Sequence, residues 1–342
     1  MKKTVIRFSF LFLLSLILLY FFFRKVEWNE VLGYLTTVDI KYFIILIVIT
    51  PIHFITRAIR WEYLIKHEKK KVKFSNRFSG YAIGFTVSFI FPGRLGELVR
   101  PLYVAQKEKM SKGFLVGTIV VERTFDIMTM CLLLGLFILA KPLYPSYFRA
   151  GEEAYSNLQL WGIIGVAVAL LVFAVALFLY FFREKALSII AFFVKPVPHG
   201  ISHKILEVFE EFIQGLKFFH SVGNLLVFIF LSFVVWLGII FYYWIFFFAY
   251  GLSFPYFFII PYVFLTMVGA SIPTPGMAGG FHYFSMVGMT SFLGIDKSQA
   301  VGMTIVIHAI QLVVTCLIGY AILWKEGISL FQLKKLGEAA EQ

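Results

Sequence analysis

Three ionisable residues stand close together in the middle of a long apolar run. Glu122, Arg123 and Asp126, in the sequence ERTFD, fall inside the stretch Phe114–Ala140. On a helix Glu122 and Asp126 are four apart and share a face, and Arg123, three before Asp126, can pair with it. If the stretch crosses a bilayer, a rise of about 1.5 Å per residue puts the group roughly 12–18 Å deep. A charge at the centre of a membrane helix costs about 2.5–3.5 kcal/mol even on a lenient scale, so these side chains must face a polar interior. Two roles fit and can coexist: an ion network that clamps neighbouring segments, or the handling of a substrate or proton.

Arg94, Glu97 and Arg100 follow a Pro-Gly break, Phe91-Pro92-Gly93-Arg94-Leu95-Gly96-Glu97, at helical spacing. Gly93 and Gly96 permit close backbone approach. A helix beginning there offers free N–H groups and the positive end of its dipole. With Arg94 and Arg100 this suits an anionic headgroup such as a phosphate, which arginine binds bidentately while staying charged. Arg100 equally fits a residue that marks the cytoplasmic interface. A second break, Pro273-Thr274-Pro275-Gly276-Met277-Ala278-Gly279-Gly280, precedes His282, and His308 and Gln311 follow in the last apolar stretch. Histidine titrates near neutral pH, which allows a proton role; a hydrogen-bonded histidine between packed helices fits as well. His53 and Arg57 share a face beside Pro51, and Arg57 and Arg60 read as side chains that snorkel to the cytoplasmic interface.

No metal or cofactor is expected. Cys131 and Cys316 lie in apolar segments without a CxxC pattern. The aspartates, Asp39, Asp126 and Asp296, are not clustered as a divalent cation would require.

The elements that must position these residues are membrane spans. Of 342 residues 60% are hydrophobic and 15% charged, against about 45–50% and about 25% in soluble domains. The runs Tyr42–Leu64 and Leu160–Phe182 exceed the roughly 18 residues that cross a hydrocarbon core. One integral membrane domain, 1–342, is expected, with full spans at 5–23, 42–65, 114–140, 159–182, 224–249 and 299–323. The first is an uncleaved span, since Arg24-Lys25 replaces a cleavage site. Trp28, Trp61, Trp161 and Trp324 read as interfacial aromatics. The stretches 78–92 and 256–274 are short and run into the breaks. Broken backbone inside a bilayer must be buried or line a cavity, so both read as re-entrant hairpins. The fold class is therefore an all-α polytopic membrane protein, about six full helices plus two re-entrant helical hairpins.

Charge fixes the expected orientation. With re-entrant hairpins, the loops on the amino-terminal side (1–7, 66–77, 94–113, 183–223 and 325–342) hold 22 Lys and Arg, and the opposite loops (24–41, 141–158 and 294–298) hold 6. That bias puts both termini in the cytoplasm and the chain in the cell membrane. It also accounts for the net charge of +12 without nucleic acid. The basic segment Lys66–Arg77 suits anionic lipid. Residues 203–220 place Ile205, Val208, Phe209, Phe212 and Leu216 on one face, as an interfacial helix would.

The two hairpins look like copies. Pro92-Gly93 and Gly96 stand 183 positions before Pro275-Gly276 and Gly279, and Lys112, Gly117 and Val121 stand 185 before Lys297, Gly302 and Val306. One enters from each side, the pattern of an inverted repeat with its working site near the midplane. The halves are 5–150 and 159–325, followed by a cytoplasmic tail, 326–342.

At PGRLGELVRP, ERTFD and PTPGMAGG the chain resembles the flippase-like proteins related to the transmembrane region of lysylphosphatidylglycerol synthase, over nearly its whole length. The resemblance implies a bacterial or archaeal membrane protein that moves lipids or lipid-linked molecules between leaflets. It implies a polar centre at Arg94, Glu97, Arg100, Glu122, Arg123 and Asp126. The second half departs from the family pattern: His282 stands where a glutamate is expected, His308 where an arginine is, and Met277 replaces a glycine. No stretch of the chain resembles the soluble synthase domain, so lysyl transfer is not implied and an enzyme is not expected. The expected partners are membrane lipids with an anionic or lipid-linked substrate. The alternatives are a membrane transferase acting on a polyprenyl phosphate or phospholipid, and a non-transporting scaffold in envelope synthesis.

Overall fold

The computed structural model describes residues 2–66, 68, 71–140, 152–216, 221–330 and 332. Every regular element among the described residues is helical. In chain order the helices are α1 (Lys2–Phe23), α2 (Trp28–Thr36), α3 (Ile40–Ile65), α4 (Phe74–Ile90), α5 (Gly96–Glu108), α6 (Lys112–Leu139), α7 (Glu152–Phe181), α8 (Arg183–Val194), α9 (His199–Gly215), α10 (Val222–Phe248), α11 (Ile260–Ser271), α12 (Gly280–Leu293) and α13 (Lys297–Glu326). Residues 141–151 and 333–342 lie outside the described residues.

Among the described residues, α3, α10 and α13 are long and apolar enough to cross a membrane, and a fourth span results if the pair Val166–Phe181 and Arg183–Val194, bent by 110°, is counted as one. Helix α6 has the length of a span but carries Glu122, Arg123 and Asp126 at its centre. Large apolar side chains on α1, α3, α7 and α10 face outward, among them Phe10, Ile44, Leu170 and Phe230. So broad an apolar exterior belongs against lipid rather than water, and the chain is a membrane-embedded, multi-pass protein.

Each break is a short 3-10 turn between two packed helices. Pro92–Arg94 joins α4 to α5, and Pro275–Met277 lies between α11 and α12. Gly93 (φ 80°) and Gly276 (φ 60°) adopt left-handed backbone, and Arg94 and Met277 after them do so too, each at φ 56°. That region suits glycine, so Met277 holds a glycine-like conformation. The arms of each hairpin touch through a glycine pair. A side-chain carbon at Gly96 would collide with the carbonyl of Gly84, and one at Gly280 with that of Gly269. The following helices α6 and α13 start alike, with Ser111 and Asp296 capping them through side-chain oxygens.

The tips of the two hairpins meet. Gly93 N donates to Pro273 O at 3.4 Å, and Arg94 Nη2 donates to the carbonyl of Ala270 at the end of α11. Two hydrophobic cores lie beside this junction, one from α3 to α6 with α9 and one from α10 to α13 with α1 and α2.

Several sequence expectations change. Trp61 is fully buried and donates to Thr118 Oγ1 at 2.9 Å, so it is a core residue rather than an interfacial one; Trp28 and Trp324 are exposed, and the side chain of Trp161 lies outside the described residues. In the basic segment, His67, Lys69 and Lys70 lie outside the described residues, while Arg77 is buried and pairs with Glu62 at 2.7 Å. Helix α9 turns Ile213 into the core beside Phe114 and Leu115 of α6, so it packs on the bundle rather than lying free on a membrane surface; the side chains of Val208 and Phe212 are outside the described residues.

Candidate functional site

The ionisable residues of α6 form the centre of a network that ties five helices together. Glu122 is fully buried. It accepts from Arg60 Nη2 of α3 at 2.9 Å, from Arg100 Nη2 of α5 at 2.9 Å, and from the Tyr81 hydroxyl of α4 at 2.8 Å. Asp126 accepts from Arg60 Nη1 at 2.6 Å and from Trp236 Nε1 of α10 at 3.0 Å. Helical spacing on α6 makes this possible, since both carboxylates point one way and Arg60 forks between them.

Two further arginines are held less closely. Arg57 Nη1 lies 3.7 Å from Glu122 Oε1 and 3.6 Å from Asp126 Oδ2, and Arg123 Nη1 lies 3.4 Å from the same Asp126 Oδ2. Neither approach is a close hydrogen bond. Arg57 Nη1, Arg123 Nε and Asp126 Oδ2 are buried without a hydrogen-bond partner. The Arg57 fork is oriented from behind by its Nε, 2.8 Å from His53 Nε2.

Arg57, Arg94, Arg100 and Arg123 line a cavity of about 520 Å³ that begins at the meeting hairpin tips, with Ser88 and Phe89 on one side and Ala270 and Met277 on the other. A volume of this size is ordinary for a small-molecule site. Ile52 and Ile127 line it as well, yet are 47% and 51% exposed, so the cavity reaches the lipid-facing exterior between α3 and α6. Its far wall, from α10, α11 and α13, is uncharged and presents Tyr243, Thr266 and Gln311.

The expected site residues therefore divide. Arg100, Glu122, Arg123 and Asp126 come together as one network. Arg94 and Glu97 form their own pair at 2.9 Å at the cavity rim. Gln311 lines the cavity and donates to the Tyr243 hydroxyl at 3.1 Å. His282 and His308 are beside the second break, off the cavity wall. Their rings are 4.5 Å apart, and His308 Nε2 lies 3.0 Å from Gly276 O. His282 and His308 thus form a single contact, packed under α1 through Phe22.

The interfacial reading of Arg57 and Arg60, and the same alternative for Arg100, are overturned. All three are buried, at 4%, 0% and 4% exposure. Arg60 hydrogen-bonds both carboxylates, and Arg100 stacks over Tyr81 at 4.2 Å. Tyr81 and Trp236 were not anticipated, since aromatic residues are common in any membrane segment; only two acids lacking enough local cations hinted at distant partners. Among the described residues, no three His, Cys, Asp or Glu side chains gather as a metal site.

A multi-pass helical membrane protein with broken helices meeting at a charged centre is the class that fold and site define. The model of the lysylphosphatidylglycerol synthase TM region matches residues 8–319, and the chain belongs to that family. It is 24% identical over 243 residues to a UPF0104 membrane protein of Methanocaldococcus jannaschii, covering 68% of this chain and 69% of the relative. No solved structure matches it.

Proposed function

We propose that this chain moves an anionic or lipid-linked amphiphile between membrane leaflets. The observation that carries this reading is the cavity at the hairpin tips, lined by Arg57, Arg94, Arg100 and Arg123, whose network holds more guanidinium groups than carboxylates. Excess buried positive charge is costly, and an anionic headgroup offsets it. The exposed Ile52 and Ile127 give an apolar chain a way to remain in the bilayer while its headgroup is bound.

In this reading α1, α3, α6, α7, α10 and α13 are the six full spans, and α4–α5 and α11–α12 are re-entrant hairpins. The halves 5–150 and 159–325 form an inverted repeat within one domain, with both termini in the cytoplasm of a cell-membrane protein. The shared 3-10 turns, glycine pairs and helix starts support the repeat. Rocking of one half against the other would expose the cavity to each side in turn. Arg94, which joins the two tips, is a latch for that motion. Glu122 acts through Arg60 and Arg100 rather than by touching a ligand. A transferase is less well supported, because Glu97, Glu122 and Asp126 already face arginines.

The test is leaflet exchange of tail-labelled anionic lipid in liposomes holding the full chain. Exchange above protein-free liposomes is expected. Arg123→Gln should slow it at least about tenfold, the loss of one charge-assisted hydrogen bond. No exchange by the unaltered protein would overturn the reading.

A further inference from the structure

We infer that the headgroup taken by this site is a phosphate monoester on an apolar chain, held jointly by Arg57 and Arg123. The inference rests on the reading of the cavity as an anionic-amphiphile site and names the ligand's charge and oxygens.

Charge matching carries it. The buried network holds four guanidinium groups, from Arg57, Arg60, Arg100 and Arg123, and two carboxylates, from Glu122 and Asp126. Arg94 and Glu97 cancel each other. Arg60 and Arg100 take the close contacts to the acids, at 2.6–2.9 Å. The two positive charges left over are therefore those of Arg57 and Arg123, and both line the cavity. An uncompensated charge in a low-dielectric interior is expensive. A phosphodiester headgroup carries one negative charge and would leave one arginine uncompensated. A phosphate monoester carries about −1.5 to −2 at neutral pH and cancels both.

The donors match as well. Arg57 Nη1 and Arg123 Nη1 approach the same atom, Asp126 Oδ2, at 3.6 and 3.4 Å, so the two forks stand side by side. The Arg123 side chain keeps 30% of its surface accessible at the cavity, so its fork can meet a ligand there. A monoester offers three terminal oxygens, and a diester only two. The same excess charge disfavours a headgroup that carries an added amine. The apolar route past Ile52 and Ile127 selects a ligand whose phosphate ends a hydrocarbon chain, whether diacylglycerol or a prenyl alcohol.

The test is a binding titration of the full chain in non-ionic detergent, read by tryptophan fluorescence, since Trp236 sits on Asp126 at the cavity wall. The probes are dihexanoyl phosphatidate, its phosphate methyl ester, farnesyl phosphate and inorganic phosphate. Phosphatidate should bind at least about tenfold more tightly than its methyl ester, one charge-assisted contact's worth. Arg123→Gln should collapse that ratio towards one while the melting temperature shows the protein still folded. Tighter binding of farnesyl phosphate than of phosphatidate would support the inference with a prenyl source, and the reverse with a glycerolipid source. Equal affinity for monoester and methyl ester would overturn the inference and leave the anionic-amphiphile reading standing. Inorganic phosphate binding as well as either lipid would overturn the requirement for an apolar chain. Binding of none of the probes would overturn this inference and that reading together.

Discussion

The two hairpins share a backbone and differ in charge. Offset by 183 to 185 positions, the Pro-Gly turns, the glycine pairs Gly84–Gly96 and Gly269–Gly280, and the starts of α6 and α13 correspond; by packing it is Gly280, rather than the Gly279 that the sequence spacing matched, that takes the place of Gly96. Trp61 corresponds to Trp244. Arg60 and Asp126, joined at 2.6 Å, correspond to Tyr243 and Gln311, joined at 3.1 Å. Arg100, which holds Glu122, corresponds to Ser285, which lies 3.2 Å from the Tyr262 hydroxyl and 3.1 Å from Thr304 Oγ1. One polar contact of the first half thus has a neutral counterpart in the second, while Glu122 falls at Ile307 and its contact with Arg100 has none. The difference teaches that hairpin geometry does not require ions. Backbone contact through glycine is common to both hairpins, while among the described residues the buried arginines and carboxylates all precede residue 150.

The most disruptive way to probe this contrast is to remove the central acid. Glu122→Ala leaves Arg100 buried without its carboxylate and Arg60 with Asp126 alone, and should cost about 3–5 kcal/mol. Thermal unfolding in detergent should show a large fall in midpoint or loss of folded protein. A small shift would mean that the network does not hold the first half together. The same property makes Glu122→Ala a poor probe of transport.

Next in size are the glycine contacts. Gly96→Ala and Gly280→Ala each force a side-chain carbon against a carbonyl of the facing arm. Each should lower stability by about 1–3 kcal/mol, the usual range for overpacking. Comparable losses in the two halves would sharpen the idea of a common scaffold; tolerance in one half alone would break it. The smallest effect belongs to the neutral network. Ser285→Ala removes a hydroxyl bridge and should cost only about 1 kcal/mol. A loss as large as that of Glu122→Ala would erase the proposed asymmetry between the halves.

Much of this architecture was legible in the sequence, for physical reasons that differ by residue. The breaks stood out because Pro-Gly punctuates an apolar run, and Glu122, Arg123 and Asp126 because charge inside such a run is costly. Their helical spacing also predicted the Arg123–Asp126 approach, observed at 3.4 Å. Arg57 and Arg60 were misread because they precede a basic segment, where arginine ordinarily snorkels to the interface. Their acids lie more than sixty positions away in the chain, and no local pattern encodes that meeting. Trp61 failed for the same reason, since its position near a helix end suits an interface while its partner Thr118 belongs to another helix. Helix α9 has the amphipathic pattern of a surface-seeking helix, but the bundle offered its apolar face a closer partner in α6.

Leaflet exchange by the double variant Arg57→Gln, Arg123→Gln, set beside Ser285→Ala, tests the central claim most directly. Without the two charge-assisted hydrogen bonds to the headgroup, the double variant should exchange anionic lipid at least about a hundredfold more slowly than the unaltered chain. Ser285→Ala, in the neutral half, should retain most of the rate. A folded double variant that exchanges lipid at the unaltered rate would contradict the account.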